Sequence, residues 1–375
     1  MRILKILNGN DDGGVFTCET EYITYFKQQG VSVDAIIVGK GKSFEKYKNI
    51  VDSVFELPEQ NVRFIGSISK IFKSISKACK YAKKHSPEIF KVYKGSYDAI
   101  VYRRVTYLYL AGILGKHYKT TAFWFMPNAV NNGFSRIFYN IELRRLKIQP
   151  IANSIFTKNT LGAHCKYVTY PGFKKERVLG GESIYRNKLN IESDIPVFGM
   201  AARLHYDKAQ DIVIQAFMES KAIERGAHLL IAGSADDENY EKSLKDLCGD
   251  LLNVKVHFLG KINDLNNLYA SIDIFINGRR NAEPFGISIA ESLGAGKPVI
   301  AYYLGGPSEM VTENVTGWLV EYPKKENYKA AINQSLDAKE RWNEMSKSCC
   351  DESLRFRTED NAKKQLYILK DSSSK

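Results

Sequence analysis

Two cations and two carboxylates in the second half of the chain have the types and positions that chemistry on a charged ligand requires. Arg203 and Lys208 lie in MAARLHYDKAQD, and Glu283 and Glu291 lie in NAEPFGISIAESLGAGKPVIAYY. An arginine neutralises a diphosphate through a two-pronged hydrogen bond, and a lysine does so as a point charge. A carboxylate accepts two hydrogen bonds from a pair of vicinal hydroxyls. Together the four side chains suit two sugar rings joined through phosphates, which is the shape of a nucleoside diphosphate sugar. Plainer readings stand beside this one: Arg203 and Lys208 as loop cations on the surface, and Glu291 as an exposed helix residue. For Glu291, the neighbours Ile287, Ile289 and Leu293 make its helix face apolar, where a glutamate without a partner is costly.

The local pattern around the carboxylates is specific. With a helix starting near Gly286 and Pro284 just ahead of it, Glu283 falls in the preceding loop and Glu291 one to two turns inside. The backbone N–H groups of Phe285, Gly286 and Ile287 then point at an anion. A second, weaker anion signal is the pair Gly13 and Gly14, which ends the first strand and opens the first helix. NGNDDGGV has the wrong spacing for a G-x-G-x-x-G dinucleotide fingerprint, which argues against a nicotinamide dehydrogenase.

The elements that must carry these residues alternate. RILKIL, VSVDAIIVG, YDAIVYRR, TTAFWFM, IQPIANS and KYVTYPG read as strands, separated by helical segments. After an aperiodic stretch from about Val178 to Asp194, a second alternating series runs from PVFGMA to TGWLVEY. In that series QDIVIQAFMESKAIER reads as one helix. The expected architecture is α/β, with two Rossmann-like, doubly wound domains facing across a cleft: residues 1–180, residues 195–350, and a terminal helical segment 351–375 crossing back to the first domain. Open parallel sheets bind ligands at the carboxyl ends of their strands, where all the motifs above lie.

A length of 375 residues suits two domains of about 150 to 200 residues each. The net charge of +12 is uneven. Up to Lys188 there are 31 basic and 14 acidic residues, an excess of +17, and the remainder is at −5. Much of the excess falls in FIGSISKIFKSISKACKYAKKH, where Ile65, Ile68, Ile71, Phe72, Ile75 and Cys79 alternate with Lys70, Lys73, Lys77, Lys80, Lys83 and Lys84 in a basic amphipathic helix. Its apolar stripe faces either its own core or, at the rim, an anionic membrane surface, where each lysine contributes about 1 kcal/mol. No nucleic-acid motif accompanies the charge. The apolar runs fall short of the roughly 20 residues that cross a bilayer. Six scattered cysteines lack a C-x-x-C pair, so neither a metal site nor a disulfide scaffold is expected. The expected location is cytoplasmic, peripheral at the inner face of the membrane.

With these residues in place, the segments RLHYDKAQD and EPFGISIAESLGAGKPVIAYYLGGPSEMVTENVTGWLV resemble the signature of the retaining, GT-B glycosyltransferases of family 4, also called glycosyl transferases group 1. Gly13 and Gly14 resemble that family's first-strand glycine loop, which implies that they too bind the nucleotide sugar. The resemblance implies a metal-independent hexosyltransferase without a cofactor, in which Arg203 and Lys208 bind the donor diphosphate. It further implies that Glu291 holds the ribose, and that Glu283 with the N–H groups of Phe285, Gly286 and Ile287 holds the donor sugar. The donor it implies is a UDP-sugar in preference to a GDP-sugar such as GDP-mannose, and the acceptor is lipid-linked or a polysaccharide, in O-antigen, lipopolysaccharide or capsule synthesis. The sequence departs from the family at Ala209 and Pro284, where glycine is common, and at Met126, Pro127 and Asn128, where many members carry a histidine; Asn128 is the candidate substitute. Alternatives on the same fold are a sugar phosphorylase, a synthase using a soluble acceptor, and a non-catalytic scaffold.

Overall fold

The computed structural model describes residues 1–64, 68–130 and 133–373. The chain divides into two units, Met1–Pro171 with Thr358–Lys375, and Gly172–Arg357.

The first unit is built on seven strands: β1 (Arg2–Asn8), β2 (Ser32–Val38), β3 (Ser53–Leu57), β4 (Ala99–Tyr102), β5 (Ala122–Met126), β6 (Ile148–Ala152) and β7 (Tyr167–Val168). Every pairing is parallel, in the order β3-β2-β1-β4-β5-β6-β7, so the direction of winding reverses between β1 and β4. The interiors of β1 and β2 are apolar apart from buried Lys5 and Asp34, because helices cover both sheet faces; Ile3, Leu4, Ile36 and Ile37 have no exposed surface. Truncating one of them, Ile36→Ala for example, would cost about 2–5 kcal/mol. β3 is the strand that the sequence reading does not contain.

The second unit has β8 (Val197–Ala201), β9 (His228–Ala232), β10 (Val256–Gly260), β11 (Ile274–Asn277), β12 (Val299–Tyr302) and β13 (Gly317–Val320). They form a parallel sheet in the order β10-β9-β8-β11-β12-β13, with its reversal between β8 and β11. Both units are therefore doubly wound α/β, as the alternation in the sequence predicts.

The boundaries differ from the expected 1–180, 195–350 and 351–375. Residues 172–180 belong to the second unit, where the Phe173 ring lies against Gly294, so close that a β-carbon there would stand 2.3 Å from it. In the same stretch Val178 is buried. Residues 351–357 also remain there and include the fully buried Phe356. Thr358–Ser373 is a helix of the first unit: Thr358 Oγ1 donates to Glu21 Oε2 at 2.7 Å, and Ala362, Leu366 and Leu369 join the cluster of Ile23 and Phe26. The aperiodic stretch carries a short helix, Ile184–Lys188, anchored by Arg186 on Asp273 at 2.6 Å. The segment expected as one helix from Gln210 is two, Gln210–Met218 and Lys221–Glu224, because Ser220 caps the second.

The basic helix spans Ile68–Val92, and its first expected positions, 65–67, lie outside the described residues. Its buried face is Ile71, Ala78, Ala82 and Ile89, with Ile75 and Cys79 packed beside them. Phe72, expected in that stripe, is 62% exposed, because it sits about 100° around the helix from Ile71. Among the described residues, no helix is long and apolar enough to cross a membrane.

Candidate active site

In the second unit, the loops after β8 and β11 are sewn together before any side chain is considered. A β-carbon at Gly278 would stand 2.5 Å from the Lys208 carbonyl oxygen, so only glycine lets the two backbones meet. Arg280 closes the seam: its N–H donates to the Asp207 carbonyl at 3.0 Å, and its guanidinium pairs with Asp211 at 2.5 Å and lies 3.7 Å from the Tyr206 ring centroid. Ala209 ends the turn in the left-handed region at φ 50°, fully buried. That conformation costs an alanine about 1–2 kcal/mol and a glycine almost nothing.

This seam sets the principal contact. Lys208 Nζ lies 3.2 Å from Glu283 Oε2, and Arg279 Nε approaches the same oxygen at 3.5 Å. The pair is partly screened from solvent, with Lys208 at 26% and Glu283 at 14% side-chain exposure. Glu283 is also held by its backbone. Its N–H donates to the Leu304 carbonyl at 3.1 Å and its carbonyl accepts from Gly306 at 2.7 Å. Gly305 and Gly306 are required there, since β-carbons would stand 2.1 Å from the Glu283 oxygen and 2.2 Å from the Phe285 oxygen.

Pro284 is followed by Phe285, which is buried against Phe356 at 5.8 Å between ring centroids. Gly286 follows at φ 101°, a left-handed value that glycine adopts freely. The helix then runs Ile287–Gly294 with no side-chain cap, leaving its first backbone N–H groups available to an anion beside Lys208 and Glu283. Tyr328 fixes the end of β11, its hydroxyl donating to the Asn277 carbonyl at 3.2 Å and accepting from the Arg279 N–H at 3.4 Å.

Glu291 sits inside the same helix and is 4% exposed, so the exposed-residue reading of it does not hold. Arg177 Nε lies 3.1 Å from its Oε1. Burial first, and then the Glu291 charge, push the Tyr269 hydroxyl well above its ordinary pKa. It therefore stays protonated and donates to Glu291 and towards the Ser288 carbonyl, 3.3 Å away. Arg203 turns to Asp236 at 2.9 Å; both are more than 60% exposed, a pair too solvated to hold the guanidinium in place.

The structure thus joins Lys208 and Glu283 directly, sets Phe285, Gly286 and Ile287 at the helix start next to them, and gives Glu291 partners of its own. Gly13 and Gly14 lie in the first unit, exposed, opening the helix Gly13–Gln28 after β1, with Gly13 at φ 52°. Asn128 follows β5 and lines a cavity of that unit. Arg279, Arg177, Tyr269 and Tyr328 were not read from the sequence. No local pattern marks them: Arg279 and Glu283 are four apart in a loop, where that spacing signals nothing.

Residues 182–349 match the family model described as "Glycosyl transferases group 1". An uncharacterized glycosyltransferase of Methanocaldococcus jannaschii is 38% identical over 144 residues, 37% of this chain and 35% of the relative. The lipopolysaccharide 1,2-N-acetylglucosaminetransferase of Salmonella typhimurium is 29% identical over 164 residues, 42% of this chain and 43% of the relative. The chain spans less than half the length of these curated relatives. Among solved structures, Anabaena HepE in complex with UDP aligns over 99% of this chain and 100% of its own, with a TM-score of 0.79 at 20% identity. WaaG, a glycosyltransferase involved in lipopolysaccharide biosynthesis, aligns over 98% and 99% with a TM-score of 0.67 at 13% identity. The fold is GT-B, and residues 182–349 form a domain of the glycosyl transferases group 1 type.

Proposed function

We propose that the chain is a family 4 glycosyltransferase that moves a hexose from a nucleoside diphosphate sugar to a lipid-linked or polysaccharide acceptor, with retention of anomeric configuration and without a metal. The observation that carries this reading is the Lys208–Glu283 contact at 3.2 Å, beside an uncapped helix start at the carboxyl ends of β8 and β11. A donor diphosphate takes Lys208, Arg203 and the helix N–H groups of Gly286 and Ile287, while Glu283 accepts hydrogen bonds from the donor hexose. Glu291 receives the ribose hydroxyls, with Arg177 yielding part of its contact. As the bond from the anomeric carbon to the β-phosphate oxygen breaks, charge builds on the departing diphosphate, where Lys208 and Arg203 stabilise it. The acceptor oxygen attacks the same face, and its proton passes to the leaving phosphate.

UDP is the preferred nucleotide, a preference supported by the shared fold of HepE, whose structure holds UDP. A role in surface-polysaccharide synthesis is supported by similarity to the Salmonella lipopolysaccharide enzyme. The first unit takes the acceptor, while Gly13 and Gly14 offer N–H groups to the nucleotide sugar. Peripheral attachment to an anionic membrane is supported by the basic helix and by exposed Phe72, Phe134, Ile137 and Ile141, the last three at helical spacing on one face of Gly133–Arg145. The test is NMR of the product formed from a UDP-hexose. An axial donor bond that stays axial in the product supports the mechanism, and an equatorial product contradicts it.

A further inference from the structure

At the carboxyl ends of β1, β4 and β5 the first unit carries a half-open cavity of about 1250 Å³, roomy enough for a small-molecule ligand. Its wall is cationic. Lys70, Lys73 and Lys77 line it from one face of the basic helix at spacings of three and four, with Arg63 and Arg104. The carboxylates among its lining residues are Asp11 and Glu59, and Asp11 is already committed to Arg104 at 2.9 Å. Arg103, the sixth basic residue lining it, is balanced by buried Glu19. Among the described residues, Arg63, Lys70, Lys73 and Lys77 make no ion pair, and Glu59 is the one lining carboxylate left to offset them, so the concavity keeps an excess of three positive charges.

The lining also holds a fixed aromatic set. Trp124 and Tyr107 are nearly fully buried, locked by Trp124 Nε1 donating to the Arg103 carbonyl at 2.8 Å and by Asn8 Nδ2 donating to the Tyr107 hydroxyl at 2.6 Å. Tyr139 packs on Trp124 at 5.4 Å between centroids. Tyr139, partly exposed with Trp124 and Tyr107 fixed behind it, offers an apolar surface to the C–H face of a sugar, and the lysines offer charge to phosphate.

We infer that this cavity binds a sugar phosphate or sugar diphosphate, with the anionic group on Lys70, Lys73, Lys77 and Arg63 and the ring against Tyr139. This deepens the proposed function and rests on its assignment of the acceptor to the first unit: the acceptor is phosphorylated, either as a soluble sugar phosphate or as a lipid-borne sugar diphosphate.

The experiment is calorimetric titration of the full chain in saturating UDP with inorganic pyrophosphate, a hexose 1-phosphate and the free hexose. In a further arm, neutral phosphatidylcholine vesicles carry a polyprenyl diphosphate hexose, with plain vesicles as the blank. The three cavity lysines are exposed, so a Lys70→Ala, Lys73→Ala, Lys77→Ala variant keeps the fold; a Lys91→Ala, Lys116→Ala, Lys166→Ala variant removes the same charge elsewhere on the unit. The expected result is that phosphorylated probes bind, that the cavity variant weakens them about 30-fold or more, and that the second variant does not. Binding of the hexose 1-phosphate identifies a soluble acceptor, and binding of the vesicle-borne probe alone identifies a lipid-linked one. Equal affinity in wild type and cavity variant, binding of the free hexose as tight as that of its phosphate, or no binding of any probe overturns the inference. UDP titration of the same proteins separates the two readings, since loss of UDP binding with pyrophosphate binding intact counts against the donor site alone.

Discussion

Lys208 Nζ and Glu283 Oε2 stand 3.2 Å apart although 75 residues separate them in the chain, and the contact exists because Gly278 lets the two loop backbones touch. The lysine is shared between a carboxylate and the position offered to a diphosphate, so the two partners respond differently to mutation. Glu283→Gln removes the carboxylate charge and leaves Lys208 entirely to the phosphate. Turnover falls about 100-fold or more, the scale of losing one preorganised charged contact, while UDP affinity is unchanged or slightly tighter. Steady-state kinetics with parallel UDP titration checks this; equal losses in both would show that Glu283 only shapes the nucleotide site.

Arg177 protects a buried charge. Glu291 has 6% side-chain exposure and its cationic partner is 39% exposed, so Arg177→Ala leaves the carboxylate with Tyr269 and the contacts of its own helix. Stability falls by about 1–2 kcal/mol, less than for a fully buried pair because solvent reaches the arginine. Thermal denaturation reads the shift, and an unchanged midpoint would mean that Tyr269 and the helix satisfy Glu291 without help.

Gly306 tests the backbone latch without involving dihedral strain, because its φ is −58°. An added β-carbon would stand 2.2 Å from the Phe285 carbonyl oxygen, so Gly306→Ala displaces residues 283–285. The expected outcome is an unchanged far-ultraviolet circular dichroism spectrum with turnover reduced at least about tenfold. Wild-type turnover would show that the loop position does not matter to the chemistry.

Titrating groups in each unit tie stability to pH. In the second, burial first, then the charge of Lys255 and the neighbouring His257, hold His228 down at about 4. Between about pH 4 and 6.5 the unfolded chain binds more protons there than the folded one, so stability rises with pH and is lost on acidification through that window. In the first unit, burial opposes the Glu19 charge, but Lys5 and Arg103 outweigh it and hold the carboxyl at about 2. That contribution is complete above pH 4.5 and disappears as pH falls towards 2. Hydrogen exchange in the second unit should show protection lost between pH 6.5 and 4, with that loss reduced in His228→Gln. A flat profile in that window would remove His228 from the account.

What the sequence makes legible is what local pattern encodes. Parallel strands buried on both faces announce themselves as apolar runs, and EPFGISIAES shows a loop, a left-handed glycine and a helix start within ten residues. Contacts set by tertiary approach are invisible to such reading. Arg177 reaches Glu291 across 114 positions, Tyr328 pins β11 from a helix two strands later, and Phe173 binds its stretch to the second unit through a missing β-carbon at Gly294. Phe72 was misread because a stripe counted at steps of three and four admits a neighbour that lies a quarter-turn away. Ala209 shows the reverse: its φ of 50° gives a physical reason for the glycine common there in the family it resembles.

The central claim, that Arg203 and Lys208 hold the diphosphate of a nucleotide donor, is tested most directly by calorimetric titration of UDP into the wild type and into the Arg203→Ala, Lys208→Ala variant, with GDP and ADP alongside. Each charged hydrogen bond is worth about 1.5–3 kcal/mol, so the account predicts that UDP binds the wild type and is at least about 100-fold weaker in the variant. UDP binding that survives both substitutions, or no nucleoside diphosphate bound by the wild type, would contradict it.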